Sequence, residues 1–179
     1  MDNALEETVA AADSSHPPPR LLEFILPLLI VAVDQGTKAM VRASLPLHDS
    51  VTVIPGFFDI THALNSGAAF GILNGADFPF KTLIIAVIAT AALIGVGVYA
   101  ASLSHHQIIA RVGLAMIIGG AAGNLIDRVL TGSVVDFVDV YWGIHHFWAF
   151  NVADSAISVG VTMLILDMLT SGPHVSKTV

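Results

Sequence analysis

Long apolar runs separated by short polar breaks dominate the chain. Four stretches, 21–40, 80–103, 108–126 and 147–169, each approach the roughly 20 mostly apolar residues that a bilayer crossing requires. The first carries Glu23, Asp34 and Lys38, and the second has no charge after Lys81. The third has Arg111 near its start and Asp127-Arg128 at its end; the fourth is interrupted by Asp154 and closed by Asp167. Residues 50–63, SVTVIPGFFDITHA, place β-branched and aromatic side chains on both sides of Pro55-Gly56, which predicts short strands about a turn. The link 130–146 is apolar and aromatic but too short to cross, so it predicts a surface-lying or re-entrant segment. The expected fold is an all-α polytopic membrane protein with four transmembrane helices and a small extramembrane β-rich cradle between the first and second. Residues 1–20, with Asp2, Glu6, Glu7, Asp13 and a run of three prolines, read as a disordered, solvated tail, with a docking role as the alternative. They lack the basic start and cleavage site of a secretory signal. Residues 21–170 form the membrane domain, and 171–179 a C-terminal tail.

Composition agrees with the pattern. The chain of 179 residues is 55% hydrophobic and 12% charged, against the roughly 25% charge of a soluble domain. A formal net charge of −7 excludes the clustered Lys and Arg that phosphate backbones demand, and so argues against nucleic acid. With no cysteine, disulfides, thiolate metal sites and cysteine nucleophiles are excluded. Charge does not set orientation: Arg20, Arg111 and Lys177 fall on the side of the termini, and Lys38, Arg42, Lys81 and Arg128 on the other.

An even number of spans puts both long links on one face of the membrane, and the polar residues collect there. Asp34 and Lys38 end the first span, Asn65 lies in the first link, and Asn124, Asp127 and Arg128 end the third span. Asp136 and Asp139 follow in the second link, with Asn151 and Asp154 at the start of the fourth span. The opposite boundary has Glu23, His105-His106, Arg111 and Asp167. Ionisable groups in hydrocarbon cost at least ~2.5–3.5 kcal/mol and so mark function or a paired partner. Asp34 and Lys38, spaced i, i+4 with the acid first, suit a helical ion pair and read as structure. Asn124 and Arg128 share a helix face; Arg128 either neutralises a carboxylate or holds a substrate carbonyl. Gly119 and Gly123 form a GxxxG that permits close helix packing.

Asp154, placed about two turns into the fourth span, has no basic residue one turn away, and neither have Asp136 and Asp139. Two carboxyl groups sharing a proton act as acid and base without metal or nucleophile. By spacing, the partner of Asp154 is either Asp136 or Asp139. No HExxH, GxSxG, P-loop or GxGxxG occurs. The adjacent pairs His105-His106 and His145-His146 make poor metal sites, and Tyr141, Trp142 and Trp148 suit an interfacial belt. No cofactor and no metal are expected.

Five motif blocks resemble those of the lipoprotein signal peptidase (signal peptidase II) family, in family order and with matching topology. They are Asp34-Gln35-x-Thr37-Lys38, Asn65-x-Gly67-Ala68-Ala69-Phe70-Gly71, Gly119-Gly120-Ala121-x-Gly123-Asn124-x-x-Asp127-Arg128, Val134-Val135-Asp136-Phe137 and Phe150-Asn151-x-Ala153-Asp154-Ser155. The resemblance covers about 21–169. It implies a four-helix aspartyl endopeptidase of the bacterial cytoplasmic (inner) membrane, with both termini cytoplasmic and the active site near the outer face; a monomer is expected. Its substrates would be diacylglyceryl-modified prolipoproteins, cut just before the modified cysteine, and the antibiotic globomycin would block it. The resemblance assigns the catalytic dyad to Asp136 and Asp154, leaving Asp139 as a neighbour. It assigns supporting roles to Asn65, Asn124, Arg128 and Asn151, and architectural ones to Asp34, Lys38 and Asp127. A small ion- or proton-coupled transporter is the first alternative, but it would spread polar residues through the membrane depth. A non-enzymatic assembly factor, the second, leaves the unpaired aspartates without a role.

Overall fold

A computed structural model describes residues 21–67, 73, 75–76, 78–104 and 106–170. The expected tails at 1–20 and 171–179, the 68–71 part of the second motif and His105 lie outside the described residues.

Four helices are each long and apolar enough to cross a membrane: α1 (Leu21–Ser44), α2 (Lys81–Ser102), α3 (Ile108–Thr131) and α4 (Val152–Thr170). α3 is the packing centre, burying residues from Ala110 to Asp127, whereas α2 buries only Ile85. The apolar side chains of α2, among them Leu83, Ile88, Ile94 and Val98, point outward, as a helix surrounded by lipid requires. At the end of the bundle away from the sheet, Leu103, Ala110 and Leu114 pack with Ile117 and Leu164. There Glu23 of α1 and Arg111 of α3 form an ion pair.

Glycines let the helices close on one another. A Cβ on Gly120 would lie 2.3 Å from the carbonyl oxygen of Ala153, and one on Gly113 would lie 2.8 Å from that of Gly160. Both face α4. The GxxxG pair faces α1 instead: Gly119 meets Pro27, and Gly123 meets the Asp34 carboxylate at 2.6 Å.

The extramembrane part is an antiparallel sheet in the order β1 (Ser50–Ile54), β2 (Phe58–Asn65), β3 (Val134–Trp142) and β4 (His145–His146). Pro55-Gly56 turns β1 into β2, with Gly56 at φ 79°, a conformation that glycine adopts without steric cost. The second link corrects the expectation of a surface-lying or re-entrant segment. It is a strand, and β3 pairs along β2 from Phe58↔Val140 to Asn65↔Val134. The cradle is therefore built from both long links, which the even span count puts on one face. Val135 and Phe137 of β3 pack on Val41 of α1 and seat the sheet on the bundle.

α4 begins at Val152 rather than 147, because Phe150 bridges to Val138 of β3. Asn151 caps the helix. Its Oδ1 accepts from the Asp154 amide at 3.0 Å, and its own amide donates to Asp154 Oδ2 at 3.2 Å, a reciprocal capping box. Asp154 thus lies in the first turn of α4, not two turns in.

Gly120→Ala is expected to destabilise the bundle by about 1–3 kcal/mol through overpacking against α4. Gly95→Ala, with no heavy atom within 4 Å of the new Cβ, stays within about 1 kcal/mol of wild type. Thermal unfolding of the two variants in detergent checks this, and equal stabilities would contradict it.

Candidate active site

Where the sheet meets the bundle, a cavity of about 410 Å³ is walled by Asn65, Asn124, Arg128, Asp136 and Asp154. Phe147, Trp148, Phe150 and Ile157 supply its apolar lining. Each polar group arrives from a different element. Asn65 ends β2, Asp136 lies near the start of β3, Asn124 and Arg128 lie on the last turns of α3, and Asp154 opens α4.

Asn151 joins the two aspartates. Its side-chain amide donates to Asp136 Oδ1 at 2.7 Å, and its backbone amide donates to Asp154 Oδ2. Each carboxyl has a second donor: Asn65 Nδ2 reaches Asp136 Oδ2 at 3.1 Å, and Asn124 Nδ2 reaches Asp154 Oδ1 at 2.8 Å. All four carboxyl oxygens therefore accept from asparagine. Burial, reinforced by the negative charge of Asp154, pushes the Asp136 carboxyl from its ordinary 3.8 up to about 7. The hydrogen bonds from Asn65 and Asn151 and the charge of Lys38 pull the other way without cancelling that rise.

Asp139 takes no part. It accepts from His146 at 2.9 Å, and His146 also stacks on Tyr141 with ring centroids 4.7 Å apart. In an extended strand three residues span about 10 Å, so only one of Asp136 and Asp139 reaches the cavity. Asp139 pairs opposite Asp59, and Asp136 opposite Ala63.

Arg128 bonds to backbone carbonyl oxygens, of Gly67 at 3.0 Å and Asn124 at 3.3 Å. Among the described residues its Nε is buried without a hydrogen-bond partner. A buried orphan donor costs about 1–3 kcal/mol, and this one belongs to a residue of the cavity wall.

Behind the cavity lies a polar cluster with almost no exposure. Lys38 Nζ lies 2.7 Å from Asp34 Oδ2 and 3.0 Å from Asp127 Oδ2. The i, i+4 pair expected between Asp34 and Lys38 is present, and it is wholly buried. Asp34 Oδ1 also accepts from the Ala153 amide at 3.0 Å, fixing the start of α4 to α1. Two further residues, not singled out from the sequence, join it at its more exposed edge. Arg42 pairs with Asp127 at 2.9 Å, and Gln35 donates to the Gly123 carbonyl at 3.1 Å. Both contacts join α1 to α3 across more than 80 positions, beyond the reach of helical spacing. The lone signal for Gln35 was its place in the first motif.

Known proteins resemble this chain in sequence and in fold. A family profile described as signal peptidase (SPase) II matches residues 26–170. The lipoprotein signal peptidase of Geobacter metallireducens is 44% identical over 155 residues, covering 86% of this chain and 93% of its own. That of Solibacter usitatus is 47% identical over 144 residues, covering 79% and 86%. Two solved bacterial membrane enzymes, obtained by the in meso method, superpose with TM-scores of 0.74 and 0.73. They are 34% and 32% identical and cover 88% and 83% of this chain, and 93% and 92% of their own. A profile that takes in all four helices and both strand-forming links, with relatives matched over nearly their whole length, assigns the chain to the signal peptidase II family.

Proposed function

We propose that this protein is a membrane-embedded aspartyl endopeptidase that removes the signal peptide of prolipoproteins just before the diacylglyceryl-modified cysteine. The observation that carries the reading is the pair of carboxyl groups, Asp136 and Asp154, joined through Asn151 at the wall of one cavity. Asp136, with its carboxyl raised to about 7, holds the proton and is the acid; Asp154 is the base.

The reaction needs only a water. Asp154 takes a proton from it, the resulting hydroxide attacks the scissile carbonyl carbon, and Asp136 gives its proton to the carbonyl oxygen. The tetrahedral diol then collapses: the carbon–nitrogen bond breaks as the proton held by Asp154 passes to the departing amine, and one hydroxyl proton of the diol returns to Asp136. Arg128 Nε offers a donor to a substrate backbone carbonyl, which supports the peptide and spreads developing charge. Phe147, Trp148, Phe150 and Ile157 give the apolar substrate a wall at the lipid boundary. A lipid chain that stays in the bilayer supplies positioning before chemistry.

In this reading the protein spans the bacterial inner membrane as a monomer, with both termini cytoplasmic and the cavity near the outer face. The sheet cradles the peptide, and the residues around Asp136 close over it. Asp34, Lys38 and Asp127 hold the helices, no cofactor takes part, and globomycin inhibits by occupying the dyad.

In membranes carrying the full chain, Asp136→Asn and Asp154→Asn are each expected to lower processing of a lipid-modified proprotein by ~10²–10⁴-fold. Asp139→Asn, outside the cavity, stays near wild type. Unimpaired cleavage by correctly inserted Asp154→Asn would overturn the proposal. The rate should also fall about tenfold per pH unit above about 7, as Asp136 loses the proton that it must donate. A rate still rising at pH 9 would contradict that assignment. EDTA should leave cleavage intact; strong inhibition that zinc reverses would argue for metal catalysis.

A further inference from the structure

The dyad is surrounded by asparagine amides, and an amide presents either a donor or an acceptor depending on which way it is turned. In each case a donor at the oxygen end sets the direction. Asn65 Oδ1 accepts from the Gly67 amide at 2.9 Å, which turns Nδ2 towards Asp136. Asn151 Oδ1 accepts from the Asp154 amide at 3.0 Å, which turns its Nδ2 towards Asp136. Among the described residues, no backbone amide donates to the oxygen of Asn124. Its Oδ1 takes the ammonium of Lys38 at 2.9 Å.

That ammonium is fully committed. Lys38 has no exposed surface, and its three protons match three acceptors, on Asp34, Asp127 and Asn124. An ammonium only donates, so the side of Asn124 that meets it must be oxygen. Asn151 Nδ2 also approaches this oxygen at 3.2 Å, but Asp136 Oδ1 at 2.7 Å lies nearer to it. The lock is chiefly the lysine's.

We infer that Lys38 is a positioning residue for the dyad, holding the Asn124 amide with its nitrogen towards Asp154 and so favouring the ionised form of Asp154. Turned the other way, Asn124 would present its oxygen to Asp154, an arrangement that is satisfied only when Asp154 carries the proton. The lysine thus helps to keep Asp154 in the ionised form that a base needs, without touching water or substrate. The inference rests on the peptidase reading above, and it gives a role in the chemistry to a residue expected to be architectural.

The test compares Lys38→Met, Lys38→Arg and the paired Asp34→Asn, Lys38→Met variant, in full-length protein in membranes with a lipid-modified proprotein. The paired variant removes Asp34's charge together with the lysine's, and so keeps the test usable if Lys38→Met alone fails to fold. Both Met variants should lose about tenfold or more in kcat while KM changes little. The acid limb of their kcat profile should move up by about one pH unit, and Lys38→Arg should keep the wild-type limb. In an Asn124→Leu background, adding Lys38→Met should cost nothing further in kcat. A wild-type pH profile in the Met variants, with loss confined to thermal stability, would overturn the inference, as would additive losses in the Asn124→Leu background. Either result leaves the dyad standing if Asp136→Asn and Asp154→Asn are inactive. Activity in those two would instead sink the peptidase reading itself.

Discussion

An ammonium ion withdrawn from water costs several kcal/mol even after relaxation, and one carboxylate rarely repays it. Lys38 is buried completely, and the protein meets that cost with two carboxylates and an amide oxygen. These partners lie on α1 and α3, and Asp34 reaches on to the first turn of α4 through the Ala153 amide. Three helices are thereby fixed in rotation and depth around one point. The glycines of α3 make this possible: any side chain at Gly123 would strike Asp34, and any at Gly120 would strike Ala153. Close approach and buried charge are the same design seen from the two sides of α3.

The cavity inherits its geometry from that point. Asn124 and Arg128 project from the α3 turns that pack beside Lys38, and Asp154 sits in the helix turn that Asp34 anchors. The sheet supplies the other half. β3 is held by β2 and by Phe150, and Val135 and Phe137 press it onto α1, so Asp136 comes to the membrane boundary on a paired strand. Rigid elements converge from both sides, which is what keeps two carboxyl groups near one another despite their repulsion. The family the chain belongs to acts on lipoproteins, and a site at the junction of sheet and bundle suits a peptide whose lipid remains in the bilayer.

Much of this was legible in the sequence, for identifiable reasons. Apolar runs of bilayer length gave all four helices, with the second and third starting at or within one residue of the structure's. Pro55-Gly56 gave the hairpin, and i, i+4 spacing gave the Asp34–Lys38 pair. β3 was not legible, because a buried strand such as VVDFVDVYW has no clean alternation, and periodicity cannot separate it from a surface-lying segment. That omission is also why spacing left Asp136 and Asp139 as equal partners. On a helix they would share a face, whereas on a strand they lie about 10 Å apart. The depth of Asp154 was misjudged because Phe147–Phe150 are apolar enough to read as helix, although they run beside β3. The Arg42–Asp127 pair was not legible because the two residues lie on different helices.

The central claim is that Asp136 and Asp154 share one proton near neutral pH. Carbon-13 NMR of aspartate-labelled protein in lipid nanodiscs reads carboxyl protonation directly. The account predicts one carboxyl signal that titrates near pH 7 and disappears in Asp136→Asn. If every aspartate has already lost its proton at its ordinary value near 4, the two carboxyl groups do not share a proton and the account is wrong.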